Sequence, residues 1–184
     1  MTTKTKPKVA TVWLDGCSGC HMSFLDIDER LITLAGLVDI AHSPIVDPKD
    51  FPHDVDLTLV EGAVSSEEDL HKALIIRERS KIVISLGDCA VTGNVPAMRN
   101  PFKPKVLLDR AFIENASEPA EKLRKHPTSY LPQLLPKARA IHEVIKVDLY
   151  VPGCPPPADA IFQILVDLLE GREPDINALT RFGR

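Results

Sequence analysis

An α/β fold with a doubly wound parallel sheet is what this sequence predicts, and two observations predict it. Five short β-type runs recur along the 184 residues, and most are continuously apolar, as strands covered on both faces must be. Between them lie stretches with apolar residues at helical spacing, so strands and helices alternate with right-handed crossovers. Composition agrees: 44% hydrophobic and 26% charged residues are globular values and exclude intrinsic disorder.

The first strand is VATVWL at 9–14. A helix over 23–37 follows, with Phe24, Ile27, Leu31, Leu34 and Ala35 at helical spacing and Gly36 marking its end. The second and third strands are 38–41 and LTLV at 57–60. Ser65-Ser66-Glu67-Glu68 resembles a capping box opening a helix to about Glu78, with Leu70, Ala73 and Leu74 on one face. IVISL at 82–86 and VDLYV at 147–151 are the fourth and fifth strands. A last helix over 156–169 carries Ala160, Ile161, Ile164, Leu165 and Leu168, and Gly171 closes it. The strand order expected is the flavodoxin-like 2-1-3-4-5. Residues 95–145 break the rhythm, with prolines at 96, 101, 104, 119, 127, 132 and 136. They predict a Pro-rich loop insertion, with one helix near 106–115, inside a single domain spanning 1–184.

A net charge of −4 gives no electrostatic footprint for nucleic acid or an anionic membrane. No apolar segment approaches the ~18–20 residues of a membrane span. The N-terminal stretch has neither a signal-peptide pattern nor a twin arginine, so a soluble cytoplasmic protein is expected. In a reducing compartment the four cysteines are then ligands, redox groups or buried thiols rather than disulfide halves.

Their positions carry the strongest inference. Cys17 and Cys20 lie in Asp15-Gly16-Cys17-Ser18-Gly19-Cys20, directly after the first strand. Cys89 follows the fourth strand and Cys154 the fifth. In a parallel sheet those strand ends share one edge, where ligands of open α/β folds bind. Four thiols with one C-x-x-C pair and two single ligands suit a 4Fe-4S cluster. Gly16, Gly19, Gly87 and Gly153 let backbone approach it, and helix starts there aim N–H groups at sulfur. Pro155-Pro156-Pro157 stiffens the loop behind Cys154. Two alternatives stand beside this one. Structural zinc favours two paired knuckles, and a dithiol oxidoreductase on Cys17 and Cys20 leaves Cys89 and Cys154 without a task.

The segments CSGCHMSFLDIDERL, VEGAVSSEED, SLGDCAVTGNVPAMRN and VPGCPPPADAIF, in this order, resemble the small subunit of nickel–iron hydrogenases, most of all the NAD-reducing soluble (bidirectional) group. The resemblance runs from about Val9 to Gly171. It implies a flavodoxin-like fold and places the proximal 4Fe-4S ligands on Cys17, Cys20, Cys89 and Cys154. It implies a large-subunit partner holding the nickel–iron centre, and a diaphorase with further iron–sulfur clusters, FMN and the NAD site. This chain would then relay electrons and hold no complete active site of its own. Related subunits of respiratory complex I usually have adjacent cysteines where this chain has Cys17-x-x-Cys20, which favours the hydrogenase branch over another complex I-like enzyme.

Other residues invite narrower expectations. Glu61, at the third strand's end, is read either as a proton relay or as a brace for a cluster loop. His21 is expected to face solvent or an interface rather than cluster sulfur. His42, His53, His71, His126 and His142 show no metal-ligand spacing. Arg99 and Asn100 either line an interface or cap local turns. The loop after the first strand is occupied by Cys17 and Cys20, so no FMN is expected in this chain. With no fifth cysteine, electrons must pass straight to a neighbouring subunit. The insertion between Pro101 and Pro136, its 116–125 segment above all, is the expected second contact.

Overall fold

The structure is a computed structural model and describes residues 5–117 and 126–183. Five parallel strands form the main sheet: β1 (Lys8–Trp13), β2 (Asp39–His42), β3 (Val55–Glu61), β5 (Ser80–Leu86) and β7 (Leu149–Val151). Their order is β2-β1-β3-β5-β7, which is the expected 2-1-3-4-5. Apolar runs made the inner strands β1, β3 and β5, because both faces are covered, whereas the edge strand β2, DIAH, has no buried residue. On one face Val9, Leu57, Leu59, Ile84 and Val151 pack with Phe24, Leu34, Ile161 and Leu165. These partners come from α1 (Gly19–Leu25), α2 (Arg30–Leu37) and α7 (Ala158–Leu169). On the other face Val12, Val60 and Val83 pack with Ala73 and Ile76 of α3 (Glu67–Arg79), Ala90 of α4 (Asp88–Thr92), and Ile141.

The helix expected over 23–37 is two helices. α1 starts four residues earlier, at Gly19, and stops at Leu25, and α2 starts at Arg30. Between them Asp28 takes φ 57, a left-handed conformation that Asp tolerates and no right-handed helix accommodates. The break turns the chain while keeping Ile27 buried. The capping box of α3 lies one residue later than expected. Ser66 Oγ accepts from the Asp69 N–H at 3.1 Å, and Asp69 Oδ2 accepts from the Ser66 N–H at 2.9 Å.

The Pro-rich region is more ordered than a loop. α5 (Asn94–Ala97) and α6 (Pro104–Asp109) lead into a π-helical turn, Arg110–Glu114. β6 (Leu134–Arg139) pairs antiparallel with β4 (Val64–Ser66) as a separate two-stranded sheet. A 3-10 turn at Ile141–Glu143 and the C-terminal α8 (Ile176–Leu179) complete the elements. Arg99 and Asn100 serve this small sheet. Arg99 Nη2 donates to the carbonyls of Ser65 and Leu135, each at 3.0 Å. Asn100 exchanges two 2.8 Å hydrogen bonds with the Ala138 backbone. Among the described residues, no helix is long and apolar enough to cross a membrane.

Candidate functional site

The carboxyl edge of the main sheet brings all four cysteines together. Cys17 stands in the loop after β1, Cys20 in the first turn of α1, Cys89 in the first turn of α4 and Cys154 in the loop after β7. They line one small cavity of about 60 Å³ with Gly19, Glu61, Asp88, Gly153 and Pro155. All four are free thiols. Cys20 is buried, Cys89 is half-buried, and Cys17 and Cys154 are exposed, so the cavity opens beside the last two.

Two glycines make the approach possible. A Cβ on Gly87, where φ is +83, would lie 2.2 Å from Cys20 Sγ, inside any contact distance. Gly62, at φ +90, lets the chain leave β3 against the loop after β1, where a Cβ would meet the Leu14 carbonyl carbon at 2.8 Å.

Two buried carboxylates then hold the loops. Glu61 is 2% exposed. It accepts from the N–H groups of Cys20 at 3.3 Å and His21 at 2.9 Å, and its Oε2 also pairs with His21 Nδ1. Ser18 caps α1 with no side-chain bond, so Glu61 does this from β3. The N–H groups expected to face sulfur at this helix start face a carboxylate instead. His21 is turned inward onto Glu61 rather than outward to solvent, its side chain only 15% exposed. Asp88 works differently. Its Oδ1 accepts from the Gly153 N–H at 2.7 Å and its Oδ2 from the Gly183 N–H at 2.9 Å. Its own N–H donates to the Gly153 carbonyl at 2.9 Å. Thr180 Oγ1 donates to the Pro152 carbonyl at 2.5 Å, so the segment after α8 closes over the Cys154 loop. Sequence reasoning missed this tie, because Asp88 reads locally as an ordinary acid at a helix start.

Burial and neighbouring charge together favour the protonated form of the inner thiols. Burial pushes the Cys20 thiol far above its ordinary range, and Glu61 and the other three cysteines push the same way. Burial also raises Cys89, against a hydrogen bond from the Val95 N–H. Left alone these groups hold their protons, and a bound metal cation would turn such thiols into thiolates. Among the described residues no group of three or more His, Cys, Asp or Glu is arranged to hold a single metal ion. Four thiols lining one cavity match the ligand number of a Cys₄-held cubane. The dithiol alternative leaves two thiols of the same cavity unused.

Residues 17–168 match the family profile of the NADH ubiquinone oxidoreductase, 20 Kd subunit. The chain belongs to this family. It is 45% identical over 174 residues to the delta subunit of the NAD-reducing hydrogenase HoxS of Cupriavidus necator, covering 93% of this chain and 82% of that one. It is 38% identical to one subunit of the vhu F420-non-reducing hydrogenase of Methanocaldococcus jannaschii, covering 92% of this chain and 58% of that one. A solved NAD+-reducing [NiFe]-hydrogenase in its H2-reduced state contains a chain of the same fold. It superposes with a TM-score of 0.90 at 40% identity, over 96% of this chain and 99% of that one. The kinship with hydrogenase small subunits read from the cysteine motifs is borne out, and so is the fold.

Proposed function

We propose that this chain is the cytoplasmic electron-transfer small subunit of an NAD-reducing nickel–iron hydrogenase, with Cys17, Cys20, Cys89 and Cys154 holding one 4Fe-4S cluster. The observation that carries the proposal is the meeting of these four thiols at one cavity, in a family member whose relatives are hydrogenase subunits. When bound, a Cys₄-held cluster supplies one-electron transfer. The chain's own part is to hold it. Gly87 gives Cys20 room, Glu61 fixes the Cys20 loop, and Asp88 ties the Cys89 helix start to the Cys154 loop. Three donors converge on Glu61, which favours its bracing role over proton relay.

The reaction served is H2 + NAD+ = NADH + H+, divided among subunits. A large subunit with the nickel–iron centre would dock beside exposed Cys17 and Cys154, and exposed Met98, four residues after the Asn94 that contacts Cys154, suits such a contact. A diaphorase carrying FMN, further clusters and the NAD site would take the electrons at a second face. The insertion between Pro101 and Pro136 is the candidate for that face, with Phe112, Tyr130 and Leu131 exposed on it; most of its 116–125 segment lies outside the described residues.

The test is anaerobic analysis of the purified complex. About four irons and four acid-labile sulfides per chain are expected, with a brown colour. Cys89→Ala or Cys154→Ala should remove the cluster as completely as Cys17→Ala. Stoichiometric zinc without labile sulfide, or a cluster surviving loss of Cys89 and Cys154, overturns the reading.

A further inference from the structure

The two halves of the cysteine cavity differ in what faces the sulfurs. Beside Cys20 stands the Glu61 carboxylate, which repels negative charge there. Beside Cys154 stands an N–H donor, and it comes from the first residue of α5, directly after the Gly93 corner that ends α4. The Asn94 side-chain amide donates from Nδ2 to Cys154 Sγ at 3.7 Å, a sulfur hydrogen-bond distance. The turn is built for this aim. Gly93 lies at φ 85 and its N–H caps the Cys89 carbonyl at 2.9 Å. Asn94 follows at φ 30, a left-handed value that Asn accepts more readily than most side chains. Strain of this kind persists only where the surroundings determine it. The Gly93–Asn94 corner thus connects the helix that carries Cys89 to the sulfur of Cys154, delivered from a separate strand end.

We propose that Asn94 is a positioning residue that raises the reduction potential of the cluster by donating its amide N–H to the sulfur of Cys154. The inference rests on the four-cysteine cluster reading above. Adding an electron increases negative charge on the ligand sulfurs. A donor aimed at one of them therefore binds the reduced state more strongly than the oxidised one, and hydrogen bonds to sulfur are among the factors that set cluster potentials. Asn94 also leaves Cys154 in place as a ligand, so it acts on the potential without being part of the ligand set.

The experiment is a redox titration, followed by electron paramagnetic resonance, of the complex of this chain with its large subunit, together with iron and sulfide analysis. Asn94→Gly keeps the left-handed backbone accessible and removes the side chain with its amide donor. Asn94→Asp keeps the shape and replaces a donor by a negative charge. Both variants are expected to retain full iron and sulfide. Asn94→Gly should shift the oxidised-to-reduced ratio at fixed potential about three- to tenfold toward oxidised, where tenfold is ~59 mV for one electron. Asn94→Asp should shift it further in the same direction. An unchanged or raised potential in both variants overturns the proposal. Loss of the cluster in Asn94→Gly does so as well, since the residue would then be purely structural. Absence of iron and sulfide from the unsubstituted complex fails the cluster reading itself, a result distinct from either.

Discussion

The two halves of the cysteine cavity are braced by the same chemistry in different ways. Glu61 reaches from the end of β3 into one loop and takes up the first N–H groups of α1, with His21 folded against it. Asp88 reaches between loops and joins the start of α4 to Gly153 and to Gly183. The first carboxylate completes a helix that lacks a cap of its own; the second joins segments far apart in sequence. A capped loop can keep its shape when its neighbours move. A clasp between loops sets their spacing, and spacing is what a four-ligand site depends on.

The largest effect should come where the halves touch. Gly87→Ala places a methyl group on the Cys20 sulfur and strains a backbone held at positive φ. Iron and sulfide content is expected to fall to background while far-ultraviolet dichroism shows the sheet intact; a normal cluster in this variant would mean that the two halves are not packed as described.

The carboxylates come next. Asp88→Ala leaves the N–H groups of Gly153 and Gly183 without partners and is expected to destabilise the chain by about 3 kcal/mol. Glu61→Gln keeps an acceptor oxygen and is expected to lose about 1–2 kcal/mol. Thermal unfolding gives both values, and chelator-driven iron loss separates them further, with the Asp88 variant releasing iron faster. Equal iron-loss rates would erase the distinction between a clasp and a cap.

The smallest effect belongs to the opposite edge of the sheet and serves as contrast. Asp148 accepts from Arg77 Nη1 at 2.6 Å and from the Val83 N–H at 2.9 Å, just before β7. Burial raises its pKa, but Arg77, the Val83 N–H and Lys146 outweigh burial and hold it below the usual carboxylate range. A depressed folded pKa gives stability that is complete above the ordinary Asp value near ~4 and is lost as pH falls through the lower folded value. Asp148→Asn should therefore reduce stability by about 1 kcal/mol at neutral pH and flatten this acid-dependent loss, with iron content unchanged. A variant that lost iron would show that the two edges are coupled.

What the sequence disclosed follows from physics as much as from pattern. The inner parallel strands were legible because both faces are covered, and burial on two sides leaves unbroken apolar runs. The small sheet was not. β4 has three residues, two of them serine, and β6 contains Pro136, which only an edge position tolerates. The break at Asp28 was hidden because the helical period of apolar residues continues through it and no Gly or Pro marks it. The four cysteines were legible through their places after strands, since parallel topology makes strand ends converge. The roles of Glu61 and Asp88 were only half visible. A carboxylate beside a strand end can be seen in sequence, but the backbone N–H groups it will meet are set by how loops fold back.

The hydrogen bonds from Gly183 to Asp88 and from Thr180 to Pro152 also bear on how the protein opens locally. Short segments outside the sheet usually open locally at low free-energy cost. Here, lifting the segment after α8 exposes the Asp88 carboxylate, and exposing Asp88 frees Gly153 beside Cys154. Opening of this segment and loosening of a sulfur-bearing loop are thus expected to go together, so that the inner loop's protection against opening depends partly on a stretch outside the sheet.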